Sequence, residues 1–186
     1  MLRPMDDELP VHAGATFARL FIGLWPDDAM RDALQRHAEG WAWTPPSRRV
    51  SRTKLHLTLH FLGGVPRQRV PDLVQGLAVR FEPFALRLDH AEVWRNQVAV
   101  LCPRSVPDEL VELYDRLAHA LARLQVVGAR EELVPHVTLA RHAKGSQPAV
   151  GSDAIRWQVN GYALVESTAD SRYQVLCAYP QGMTHL

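Results

Sequence analysis

The sequence predicts an α+β fold, and three observations predict it. Runs of alternating or β-branched residues recur along the chain as short strands. Helical periodicity falls between groups of those strands and not after each one, which argues against a βαβ array. A weak internal repeat pairs "HLTL" at His56 with "HVTL" at His136, eighty positions later.

The elements can be taken in order. "FARLFIGL" reads as a strand over 17–24, and Pro26 with Asp27 opens a helix running toward His37. A loop containing "TPPS" covers 41–54. The "LHLTLHFL" strand spans 55–62, and Val70, Leu73, Val74 and Leu77 give the next helix an apolar face. Strands follow at 84–90, 91–95 and 97–102. Leu110, Leu113, Leu117, Leu121 and Leu124 mark a stronger amphipathic helix. The second motif strand covers 135–141, a loop with "KGSQPAVGS" covers 143–153, and strands at 155–159, 161–167 and 172–179 end the pattern. The repeat implies two similar lobes facing each other across a cleft, formed by 16–186 as one bilobal catalytic domain. Residues 1–15 are expected to be a disordered extension.

Composition narrows the function classes. The 186 residues include 21 Lys plus Arg against 20 Asp plus Glu, a formal net charge of +1. No whole-surface polycation grips duplex nucleic acid, so an anionic ligand must be held locally. Arg48, Arg49, Arg52 and Lys54, just before His56, are such a local positive field. Cys102 and Cys177 sit in apolar runs without zinc-site spacing and are expected as buried free thiols. No signal-peptide or membrane-length apolar run is present, and a cytoplasmic monomer is expected.

In a strand, residues two apart share a face. His56 and Thr58 therefore point one way while Leu57, Leu59 and Phe61 point the other. His136 and Thr138 share a face opposite Val137 and Leu139. One such pair is an ordinary half-exposed sheet face; two copies, each continuing as apolar-Thr-Leu, are a signal. Two imidazoles across a cleft suit a displacement in which one proton is removed and another delivered near neutral pH. A neighbouring hydroxyl can donate to a charged phosphoryl oxygen. The implied chemistry is phosphoryl transfer with no metal and no cofactor.

Together with "RLFIGLWPDD", "LHLTLHFLG", "PHVTLAR" and "YALVESTADSRYQVL", the paired motifs resemble the RNA 2′,3′-cyclic phosphodiesterase family. That family is also called 2′-5′ RNA ligase, within the two-histidine phosphoesterase superfamily. The resemblance covers Phe17 to Tyr179. It implies a pseudo-symmetric bilobal fold, with two antiparallel sheets flanking a cleft and helices outside. It also implies hydrolysis of an RNA or nucleoside 2′,3′-cyclic phosphate to a 2′-phosphomonoester, with 2′-5′ ligation in some members. By position, His56 and His136 would be the catalytic pair, Thr58 and Thr138 the phosphate ligands, and Arg141 an arginine at the phosphate. Phe61 holds the corresponding place in the first copy and joins the substrate-binding set. Strict alternation turns Arg141 away from His136, so it reaches the cleft only where the strand bulges, twists or ends.

Three other readings stand beside this one. A relative in the same superfamily would act on another cyclic nucleotide or an ADP-ribose cyclic phosphate. A metal hydrolase would use His56, His60, His136 and His142, although His60 and His142 are expected as exposed strand-end residues. A non-catalytic RNA 3′-end binding module would use Trp41, Trp43 and the arginines of 48–52 for stacking and charge.

Overall fold

The computed structural model describes residues 16–126, 132–151 and 153–181, and the expected extension over 1–15 lies outside them. Strand β1 (Phe17–Leu24) leads into helix α1 (Asp28–Glu39). The Asp27 carboxylate accepts the Met30 N–H at 2.8 Å, satisfying one of the orphan donors of the first turn. Met30, Leu34 and Ala38, four residues apart, form the buried stripe of α1. A two-residue strand, β2 (Arg48–Arg49), forms where the sequence predicts only loop. Its partner lies far away in sequence, so no local pattern announces it.

Strand β3 (Leu57–Pro66) carries the first motif, and helix α2 (Val70–Gly76) follows with Leu73 fully buried. Strands β4 (Phe84–Leu88), β5 (His90–Val93) and β6 (Ala99–Cys102) precede helix α3 (Asp108–Arg123). On α3 the predicted face is observed: Leu110, Leu113, Leu117 and Leu121 are buried, and Leu124 falls at the C-cap. Strand β7 (Val137–Arg141) carries the second motif. Strands β8 (Ile155–Val159), β9 (Gly161–Ser167) and β10 (Tyr173–Pro180) complete the chain.

The strands run in the order β10-β9-β1-β3-β7-β6-β5, with β2 added to β7 and β4 paired with β8 as a separate ribbon. All pairings are antiparallel. The fold is α+β, as the sequence predicts. The C-terminal hairpin β9-β10 closes on β1, so the two sheet halves are not the two halves of the sequence. Those halves meet at one residue pair, Leu57 with Val137, after which β3 and β7 diverge. The cleft opens where they part.

One continuous core lies behind this surface, with Leu20, Leu57, Leu59, Leu101, Leu117, Val137 and Leu139 among its members. At 25 cal/mol per Å² buried, each such leucine contributes about 2 kcal/mol or more. Among the described residues no helix is long and apolar enough to cross a membrane. Cys102 is buried, and burial pushes its thiol up to about 12. Cys177 departs from expectation by being only half-buried, because β10 is an edge strand with one face open.

Tyr162 ties β9 to the segment after α2. It is 2% exposed, donates its hydroxyl to the Leu77 carbonyl at 2.7 Å and accepts the Val79 N–H at 2.9 Å. Tyr162→Phe removes the hydroxyl from both backbone groups, which keep only the bond they share, Val79 N–H to the Leu77 carbonyl at 3.0 Å. Urea unfolding should show a loss of about 0.5–1.5 kcal/mol with an unchanged m-value.

Candidate active site

The pairing of β3 with β1 breaks twice, at Leu59 within the motif and at Leu62 beyond it. Ile22 pairs with His60 and Gly23 with Thr58, so Leu59 has no partner and the strand bulges there. Strand β7 breaks at the same motif position: Ala99 pairs with Ala140 and Val100 with Thr138, leaving Leu139 as the extra residue. A bulge puts two successive side chains on one face and inverts the alternation beyond it. Leu59 and His60 both turn to the core, at 6% and 7% exposure, as do Leu139 at 1% and Ala140 at 0%. Phe61 and Arg141 are consequently returned to the cleft side, where both are exposed. The bulge is the condition under which the sequence allowed Arg141 to reach the histidines.

The same inversion corrects the expectation for His60, which is not an exposed strand-end residue. Its ring stacks on Tyr114 of α3 with centroids 4.1 Å apart, and its Nε2–H donates to the Tyr114 carbonyl at 2.9 Å. A four-histidine metal cluster is thereby broken up. Among the described residues no three His, Cys, Asp or Glu side chains converge as ligands. His142 is exposed just beyond β7, as expected, with φ of 54°.

His56 and His136 are held identically. Each Nδ1 lies against the carbonyl two residues earlier, Lys54 at 2.6 Å and Val134 at 2.7 Å. A carbonyl only accepts, so Nδ1 carries the proton and the neutral ring keeps its lone pair on Nε2. For His56 that lone pair accepts the Thr58 hydroxyl at 3.0 Å. An aromatic ring packs against each imidazole: Phe21 at 4.8 Å from His56, Trp94 at 4.5 Å from His136. Gly23 makes the approach beneath His56 possible. A Cβ there would sit 2.7 Å from the Leu57 carbonyl oxygen and 3.7 Å from the His56 ring.

Two cavities share this surface. One, of about 970 Å³, is mainly apolar and lies between β3 and the segment before β7; Thr58, Phe61, Trp94, Tyr114, Leu133 and His136 line it. The other, of about 290 Å³, is polar and lined by Arg19, Lys54, His56, Phe61, Arg141 and Tyr173. Phe61 belongs to both and stands between them. Thr138 is half-buried on β7, two residues from His136 and so on its face. The structure therefore gathers His56, Thr58, Phe61, His136, Thr138 and Arg141 at one cleft.

Other sequence candidates lie elsewhere. Arg52 is tied to α1 by ion pairs with Asp28 and Asp32, away from the cleft. Trp41 is 5% exposed and stacks on Trp43 at 4.9 Å, so this pair is core and not a platform for bases. Sequence reading missed Arg19, Phe21, Trp94 and Tyr173. The alternation of β1, which puts Arg19, Phe21 and Gly23 on one face, was the available signal for the first two; Trp94, just after β5, and Tyr173, at the start of β10, have no such signal.

Burial lowers the pKa of both imidazoles below the usual histidine value, opposed by the carbonyl bonds; the positive field of Arg141 lowers both further, and that of His136 adds to the effect on His56. NMR titration of the imidazole carbons should find both groups below pH ~6.5. Arg141→Met should raise both, and His136→Gln should raise His56. Unchanged midpoints in both variants would remove the electrostatic coupling.

The model of the 2′-5′ RNA ligase superfamily matches residues 26–171. The RNA 2′,3′-cyclic phosphodiesterase of Thermus thermophilus is 30% identical over 168 residues, covering 80% of this chain and 81% of that protein. Its Escherichia coli counterpart is 33% identical over 129 residues, covering 67% and 70%. The crystal structure of E. coli LigT in apo form aligns with a TM-score of 0.74 at 29% identity, over 91% of this chain and all of that one; LigT has also been crystallised with 3′-AMP. With the superfamily model matching most of the chain and a relative 30% identical over four fifths of it, the chain belongs to the RNA 2′,3′-cyclic phosphodiesterase family of the 2′-5′ RNA ligase superfamily.

Proposed function

We propose that this chain hydrolyses the 2′,3′-cyclic phosphate of an RNA end to a 2′-phosphomonoester, with His136 as base and His56 as acid. The observation that carries the reading is the matched pair of imidazoles. Each is fixed by a carbonyl on Nδ1 and has Nε2 left for chemistry. The names of the two bacterial relatives and the 3′-AMP complex of LigT support the substrate class.

The step balances without a metal or redox partner. His136 Nε2 takes a proton from water as its oxygen bonds to phosphorus. The bond from phosphorus to the 3′ oxygen breaks in line, and the His56 imidazolium delivers its Nε2 proton to that oxygen. The products are a 2′-phosphomonoester and a free 3′-hydroxyl. Thr58 gains a second role from the same proton. While His56 is neutral, its Nε2 holds the Thr58 hydroxyl; once charged, Nε2 no longer accepts, and the hydroxyl is released to donate to a phosphoryl oxygen. Thr138 serves the second non-bridging oxygen and Arg141 supplies charge there. A 5′-hydroxyl of a second RNA end attacking in place of water would give a 2′-5′ linkage by the same bond changes, reversibly.

Incubation with a short RNA bearing a 2′,3′-cyclic phosphate should give only the 2′-phosphate; a 3′-phosphate as sole product would reverse the proposed orientation. A panel including other cyclic nucleotides and an ADP-ribose cyclic phosphate tests the substrate class. His56→Ala and His136→Ala should each lower turnover by about two to four orders of magnitude, and the two threonine-to-alanine changes by less.

The sign of the pKa shifts fixes the expected pH dependence. Base and acid need one neutral and one charged imidazole, so kcat/KM should be bell-shaped, with two apparent pKa values belonging to the pair. Both are depressed in the free protein. The maximum of kcat/KM should therefore lie on the acid side of pH ~6.5. Bound phosphate favours the imidazolium, so the kcat profile should sit at higher pH. A flat profile between pH ~4 and ~8 would sink the paired mechanism.

A further inference from the structure

We propose that the polar cavity beside His56 is a subsite for a second phosphate, the one on the 5′ oxygen of the nucleoside that bears the cyclic phosphate. The inference rests on the phosphodiesterase reading above and adds to it what the substrate must carry.

Arg19, Lys54 and Arg141 converge on this cavity of about 290 Å³. Several arginines elsewhere take carboxylates, among them Arg52 with Asp28 and Asp32 and Arg67 with Glu166. Arg19 and Lys54 instead lie over aromatic faces. The Arg19 guanidinium sits 5.4 Å from the centre of the Phe61 ring, and the Lys54 ammonium sits 5.6 Å from that of Tyr173. Such contacts hold a cation in place without neutralising it. The carboxylates adjoining the lining serines have partners of their own: Asp170 is occupied by Arg172 and Thr168, and Glu166 by Arg67. Ser167 and Ser171 add hydroxyls to the wall.

Position selects the ligand. Arg141 is assigned to the reacting phosphate, which leaves Arg19 and Lys54, neither of them ion-paired to a carboxylate among the described residues. The neighbouring apolar cavity, rimmed by Trp94, Tyr114 and Phe61, suits a nucleobase, and among the described residues neither Arg nor Lys lines it. Phe61 lies between the two cavities. A terminal nucleoside with its base on the apolar side and its cyclic phosphate between His56 and His136 directs its 5′ oxygen toward Arg19 and Lys54. The phosphate there is an internucleotide diester in RNA or a monoester in a 5′-phosphorylated mononucleotide.

Three substrates test the proposal: adenosine 2′,3′-cyclic phosphate, the same compound with a 5′-monophosphate, and a diadenylate ending in the cyclic phosphate. The readout is the ratio of kcat/KM for a phosphate-bearing substrate to that for the plain nucleoside, so effects on the reacting centre cancel. In the wild type the ratio should be about tenfold or more, carried mainly by KM. In Arg19→Gln/Lys54→Met it should fall toward one. A gain confined to the diester assigns the subsite to RNA; a gain confined to the monoester assigns it to mononucleotides. A wild-type ratio of one, or a ratio that survives the double substitution, overturns the subsite while leaving the phosphodiesterase reading intact. Failure of the wild type to cleave all three overturns both. If the double variant does not fold, salt decides: the wild-type ratio should shrink as ionic strength rises, and a salt-independent ratio overturns the proposal.

Discussion

One extra residue at the same place in each motif sets the site. Without the bulge at Leu59, strict alternation would put Phe61 in the core and His60 in the cleft; without that at Leu139, Arg141 would face away from His136. With the bulges, the H-x-T-L sequence does three things in succession. It presents an imidazole and a hydroxyl, anchors the strand with a leucine that is almost fully buried, and returns the next-but-one side chain to the cleft. The leucine is what holds the irregularity in place. Exposing it would cost about 2 kcal/mol, so sliding the strand back into regular register is opposed by the core.

The bulges also explain how two strands that share a single residue pair can frame a cavity. Leu57 and Val137 join the halves, both fully buried, and beyond them β3 and β7 have no ladder in common. Strand β2 satisfies the far end of the β7 edge through Arg48 with Arg141 and Arg49 with Ala140. The remaining edge of β3, from Thr58 onward, borders open space. A continuous ladder at this seam would have closed the cleft and separated the histidines from any ligand.

Much of this was legible in the sequence. Alternation and helix periodicity found every long element, because each has an apolar face that a single chain segment can display. The two motifs were legible because they repeat. What the sequence withheld was mostly non-local. Strand β2 exists only through its pairing with β7, and the fate of His60 depends on a bulge that its own strand does not mark. Trp41 and Trp43 offer a composition suited to stacking on bases, yet packing against α1 uses them instead: the Trp43 indole N–H donates to the Ala38 carbonyl at 2.8 Å. Arg52 likewise commits its charge to Asp28 and Asp32, which lie twenty or more positions earlier.

Symmetry and asymmetry divide the work in this fold. The backbone repeats: the same bulge, the same carbonyl on Nδ1 and an aromatic neighbour for each imidazole. The side chains around that repeat do not. At the position five residues after the histidine, one copy has Phe61 and the other Arg141, and Arg19 comes from β1 to lie over Phe61. His56 therefore borders the cationic cavity and His136 the apolar one. A repeat alone would give two interchangeable imidazoles, whereas an in-line displacement needs them to differ. Unequal fields across an otherwise matched pair supply that difference, and they give the cleft a direction in which an asymmetric substrate can lie.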